Sequence, residues 1–162
     1  MQGRASFSIL PVRDADNLAA TVTLFRAYAS SLDIDLSYQN FDAEVAGMPG
    51  KYAPPRGELL LARRYEGAPV GCVALRPLDA EGLCEMKRLY VSPEARGSGL
   101  GAQLVEAIVR EAKRIGYREM WLDTLPSMTE ALGLYRRHGF APMAPYYDTP
   151  VPGTVFLHLV LG

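Results

Sequence analysis

Two cysteines, two histidines and no long apolar run mark what this 162-residue chain leaves out. Cys72 and Cys84 do not make a disulfide framework; both sit in apolar, strand-like runs, where a buried free thiol is the expectation. His138 ends a helical stretch, where a cation suits the helix dipole, and His158 lies in a late apolar strand. No Ser-His-Asp or Cys-His arrangement is evident, so both read as structural and no metal is expected. No apolar run approaches the ~20 residues needed to cross a membrane, and the first residues carry no apolar core of a secretory signal. The formal charge is −1 and basic residues form no run, which argues against nucleic acid as a partner. What is present, 49% hydrophobic and 22% charged residues, describes a soluble globular chain with one ordinary core. A single cytoplasmic domain is the expectation.

The apolar residues recur with readable periods. Ser6–Val12 predicts a first strand. Asp14 caps a helix in which Leu18, Val22, Phe25, Ala29 and Leu32 share a face. Asp42 opens a shorter helical segment ending near Gly47. Gly47-Met48-Pro49-Gly50 and Pro54-Pro55-Arg56-Gly57 bracket a loop that carries Lys51 and Tyr52. Leu59–Tyr65 and Val70–Arg76 flank a short turn and predict an antiparallel hairpin, with Cys84–Val91 as a third strand. Gly101–Ile115 is the clearest helix; Leu104, Val105, Ile108, Val109, Ala112 and Ile115 form its apolar face and Gly116 ends it. Glu119–Asp123 predicts a strand, Met128–His138 a helix closed by Gly139, and Phe140–Tyr147 and Val155–Leu161 two last strands. The sum is α/β: one mixed sheet with helices on both faces and no dividing linker.

Arg96-Gly97-Ser98-Gly99-Leu100-Gly101 stands between a strand and the clearest helix. Its glycines let the backbone approach a ligand closely. The following helix aims unpaired N–H groups and its positive dipole end at the loop, and Arg96 adds a fixed cationic fork. This is a cradle for a diphosphate. Gly97 to Ala102 also fits the dinucleotide fingerprint, with Asp123 near the place of a ribose-binding acid. Against that reading, Ser92 to Arg96 separates the strand from the first glycine, and too few β-α units follow. A nucleotide P-loop is excluded, because no Lys-Ser or Lys-Thr follows the last glycine.

Three blocks stand in order: Glu85-Met86-Lys87-Arg88-Leu89-Tyr90-Val91, the Arg96–Gly101 loop, and Ala131-x-x-Leu134-Tyr135-x-x-x-Gly139-Phe140. In this order and spacing they resemble the GNAT acetyltransferase superfamily, from roughly Leu59 to Leu161. The resemblance implies a central, mostly antiparallel sheet splayed at the coenzyme strand. It makes 58–162 the coenzyme-binding core and 1–57 a variable acceptor-side region. It implies acetyl-CoA as co-substrate, with its diphosphate held by Arg96, Gly97, Ser98, Gly99, Leu100 and Gly101, and its pantetheine arm beside Leu89, Tyr90 and Val91. A bulge near Leu89 is expected to supply a backbone oxyanion donor. Tyr135 matches the family's helix tyrosine, which protonates the leaving thiolate. Glu85 matches the strand carboxylate that accepts the amine's proton, directly or through water. One departure is Met128, where many members carry an asparagine that contacts pantetheine; Ser127 and Thr129 are the nearby substitutes.

The implied activity is direct transfer of an acetyl group from acetyl-CoA to a primary amine of a small molecule, amino acid or peptide. A non-catalytic acetyl-CoA-binding regulator is the alternative, and retention of both Glu85 and Tyr135 argues for turnover. The first two helices, the Lys51/Tyr52 loop and Tyr146-Tyr147 are expected to form the acceptor pocket. Asp33, Asp35, Asp42 and Glu44 make the early region acidic, which favours a cationic acceptor where these acids are not simply solvated. A homodimer through an exposed late strand remains open.

Overall fold

Between Glu58 and Val91 short apolar runs alternate with turn residues, and there the backbone pairs into strands. The computed structural model describes residues 7–32 and 34–162. Ser6 and Asp33, singled out above, lie outside them. The strands are β1 (Phe7–Pro11), β2 (Glu58–Arg64), β3 (Pro69–Pro77), β4 (Leu83–Val91), β5 (Glu119–Thr124), β6 (Ala141–Pro142) and β7 (Val155–Val160). They form one sheet in the order β1-β2-β3-β4-β5-β7-β6. Every neighbouring pair is antiparallel except β4 and β5.

The helices are α1 (Ala15–Ser31), α2 (Phe41–Ala46), α3 (Leu100–Ile115) and α4 (Thr129–Arg137). Strand alternation sends β3 side chains to two separate cores. Val73 and Leu75 pack with Leu104, Ile108 and Leu132 of α3 and α4. Cys72 and Ala74 pack with Leu24, Phe25, Phe41 and Val45 of α1 and α2. Each large apolar side chain buried this way contributes about 1.5–3 kcal/mol. The sheet is therefore covered on both faces, as the periodicity predicts.

Asp14 caps α1, accepting from the Asn17 N–H at 2.8 Å. The expected face of α1 packs on the sheet, with Phe25 fully buried and Leu18, Val22, Ala29 and Leu32 partly buried against the same core; Thr21 and Leu24 are buried beside them. Thr21 tolerates burial because its hydroxyl donates to the Asn17 carbonyl at 2.8 Å. Asn40, in the left-handed region at φ 56°, precedes α2, so Asp42 falls inside the first turn. The strand expected at Phe140–Tyr147 shrinks to Ala141–Pro142. Pro142 and Pro145 remove ladder donors there, and the chain turns back over the sheet. Tyr146 then stacks against Trp121 at 4.9 Å and Phe156 at 5.1 Å between ring centroids.

Both cysteines are buried and free. Burial, with the neighbouring Glu85 charge, pushes the Cys84 thiol up to about 12; burial pushes the Cys72 thiol higher still. The native protein is expected to be inert to Ellman's reagent at about pH 8 and to titrate both thiols in denaturant. Stoichiometric reaction of the folded protein would contradict this packing.

Candidate functional site

Parallel pairing between β4 and β5 stops at Glu85↔Trp121, although β4 continues to Val91 and β5 to Thr124. Past that point the two strands part, and a cavity passes between them. Lys87, Arg88 and Leu89 line it from β4, Asp123 from β5, Tyr135 from α4 and Tyr28 from α1. It thus joins the face covered by α1 to the face covered by α4.

A bulge bends β4 at the same place. Cys72 pairs with Tyr90 and Ala74 with Lys87, so Val73 faces both Arg88 and Leu89. Arg88 adopts φ 60°, an uncommon conformation for a residue with a Cβ. Its guanidinium donates to Glu44 through Nε at 3.1 Å and Nη2 at 2.9 Å, and lies over the rings of Tyr28 and Phe41. Tyr52 donates to the same carboxylate at 2.9 Å. Burial pushes the Glu44 carboxyl up, but Arg88, helped by the Tyr52 hydroxyl and the Lys87 charge, outweighs it and holds the group below the usual value. Glu44 is therefore a partner of the bulge rather than a solvated acid, and Tyr52 is a core residue. Lys51 and Tyr52 line a neighbouring depression with Glu44 and Arg76 instead of the gap between the strands.

The glycine loop lies where β4 leads into α3. Gly97 and Gly99 have φ 80° and 86°, which other residues adopt only with strain. Among the described residues, the N–H groups of Gly97, Ser98 and Gly99 meet no protein acceptor, and Gly99 caps α3 without a side-chain bond. Arg96 is held forward: Nε donates to the Val91 carbonyl at 3.1 Å and the guanidinium lies over Tyr90. Exposed donors, a helix N-terminus and a fixed cation fit an anionic diphosphate.

Tyr135 is 7% exposed and reaches the gap from α4, with its ring tilted against Phe140. Burial holds its phenol above the ordinary value, and Tyr28 and Asp123 add to the shift. Glu85 is 2% exposed. One of its oxygens accepts from Arg76 Nε at 2.8 Å and the other from the Tyr146 hydroxyl at 2.6 Å. Strand register places Arg76 directly across from Glu85 on β3. Met128 lines the gap and its sulfur receives the Thr124 hydroxyl, while Ser127 and Thr129 are exposed. The roles of Arg76 and Arg88 were not legible beforehand, because they depend on register and on the bulge; Tyr146 was expected on the acceptor side, but its bond to Glu85 depends on the returning 140s segment.

A sheet that opens between two parallel strands beside a glycine-capped helix defines an acyltransferase fold. The sequence matches the acetyltransferase (GNAT) family over residues 18–140. It is 41% identical to an uncharacterized N-acetyltransferase of Schizosaccharomyces pombe over 100% of this chain and 99% of that protein. The fold superposes on a GNAT-family acetyltransferase of Staphylococcus aureus with TM-score 0.81 and 17% identity, covering 97% of this chain and 100% of that one. A Salmonella typhimurium protein solved with its cofactor acetyl-CoA gives TM-score 0.73 and 19% identity, over 96% and 94% of the two chains. The chain belongs to the GNAT family of acetyltransferases.

The Glu44–Arg88 pair yields a stability prediction. Glu44 has a lowered native pKa, so its contribution is complete above the ordinary glutamate value of about 4.3 and is lost as pH falls through the native value. Glu44→Gln should lower the melting temperature at neutral pH and flatten the acid limb of the stability curve. An unchanged acid limb would show that the pair does not hold the bulge.

Proposed function

We propose that this chain transfers the acetyl group of acetyl-CoA to a primary amine by direct attack. The observation that carries the reading is the gap between β4 and β5: a buried phenol and a bulged strand border one cavity, and that same strand runs on into the glycine loop that opens α3. Acetyl-CoA supplies an activated thioester. Gly97 to Gly101 and Arg96 hold its diphosphate with backbone N–H groups and a cation. The backbone of Leu89 to Val91, no longer paired to β5, borders the acyl arm, and the bulge near Leu89 offers an N–H to the developing oxyanion.

An alkyl amine has a pKa near ~10 and arrives protonated, so attack needs a proton acceptor. Glu85 is that acceptor, reached through the Tyr146 hydroxyl or a water, because both of its own oxygens already receive hydrogen bonds. Tyr135, held as the neutral phenol by burial, gives its proton to the departing thiolate. Arg76 fixes the orientation of Glu85 through its 2.8 Å contact.

Release of free thiol from acetyl-CoA across a panel of primary amines tests the reading. Tyr135→Phe should bind acetyl-CoA as before and lose on the order of 10²-fold or more in kcat; unchanged turnover removes Tyr135 from the chemistry. Arg96→Ala should weaken coenzyme binding about tenfold or more. Glu85→Gln should slow transfer near neutral pH, and the deficit should shrink as pH rises toward ~10, where the free amine needs no base. A deficit independent of pH would mark Glu85 as structural.

A further inference from the structure

The acceptor side of the gap carries charges of both signs, and most are matched. Arg76 pairs with Glu85 and Arg88 with Glu44. Lys87 and Asp123 are different. Both line the gap, and among the described residues neither has an ionic partner in contact. Lys87 is only 8% exposed, yet its ammonium, with three donors, makes one hydrogen bond, to Gln39 Oε1 at 3.2 Å. Asp123 accepts from the Tyr147 hydroxyl through Oδ2 at 2.6 Å, leaving Oδ1 without a protein partner among the described residues.

Neutral groups hold these two charges apart. Gln39 accepts from Lys87 through its oxygen and points its Nε2 at the Tyr147 oxygen at 3.5 Å; Tyr147 in turn donates to Asp123. The chain Lys87–Gln39–Tyr147–Asp123 thus fixes one cation and one anion at a set separation along a single cavity. Burying a charge without a counter-charge is costly. Burial accordingly pushes the Lys87 ammonium below the usual lysine value, with the Glu85 charge and then Asp123 opposing. A ligand that brings an anion to Lys87 and a cation to Asp123 relieves both sites at once.

We propose that the acceptor is a zwitterionic amino acid, its carboxylate received by Lys87 and its ammonium by Asp123. This rests on the acetyl-transfer reading and narrows it. The docked ammonium then loses its proton toward Glu85, and its lone pair attacks the thioester carbonyl; the C–S bond breaks and the thiolate takes the Tyr135 proton. Polyamines and uncharged amines leave Lys87 uncompensated, and amides or esters of the same amino acid do likewise.

The test compares one amino acid series in three forms: free acid, carboxamide and decarboxylated amine. For the wild type, kcat/KM should favour the free acid by about ten- to a hundredfold, the range of one charge-assisted contact. Lys87→Met should bring the three forms to within about threefold of one another. Calorimetry with coenzyme A-saturated protein should show the same ranking without turnover, and Asp123→Asn should weaken every form that carries an ammonium. A wild type that handles the carboxamide or the plain amine as well as the acid overturns the zwitterion assignment and leaves acetyl transfer standing. A preference that survives Lys87→Met overturns it too. Absence of thiol release with every acceptor overturns both.

Discussion

Everything distinctive in this structure follows from the parting of two strands. A sheet gains from continuous pairing, and β4 and β5 are long enough to pair well beyond Glu85↔Trp121. They do not, because β4 carries an extra residue there and bends away. The bulge is not left to chance. Arg88 holds an unfavourable φ and is secured by a bidentate contact to Glu44, by two aromatic faces and by the Tyr52 hydroxyl that caps the same carboxylate. Breaking such a buried pair on one side typically costs about 3–5 kcal/mol. The short α2 segment therefore does more than cover the sheet: through Glu44 it secures the bulge beside the gap between β4 and β5.

That passage has two chemically different ends. Toward α4 it offers a phenol kept protonated by burial, and beyond it β4 leads into a glycine loop with free backbone donors at the start of α3. Toward α1 it offers paired ions, amide and hydroxyl groups. A polyanionic coenzyme suits the first end and a small polar amine the second. Tyr146 and Tyr147 pack back against Trp121 and Phe156 because proline stops the 140s from continuing as a strand. Their hydroxyls then cap Glu85 and Asp123.

The coenzyme end was legible in the sequence because its signals are local. The glycines of Gly97 to Gly101 declare positive φ and close approach, and the α3 face repeats cleanly from Leu104 to Ala112. Glu85 and Tyr135 were singled out through their place in motif blocks; Tyr135 lines the gap, and Glu85 sits in the last register pair before it. The acceptor end was far less legible. Arg76 meets Glu85 only through the β3–β4 register, which is set by how the connection between those strands closes and not by local spacing. Glu44 looked like one of several surface acids, and its pairing with Arg88 spans 44 residues of chain. On α1 the expected face holds, and only the burial of Thr21 was missed, because threonine buries itself by bonding its own helix backbone. Lys87 and Asp123 sit on separate strands, and only the gap between those strands makes them a pair.

The most direct check on the passage between β4 and β5 is an amide ¹H–¹⁵N titration of the wild type with acetyl-CoA. Shifts should concentrate at Leu89, Gly97, Ser98, Gly99 and Gly101, with β1 and the segment around Lys51 left undisturbed. Shifts confined to other elements, with these amides unmoved at saturation, would show that the coenzyme does not enter where the sheet opens.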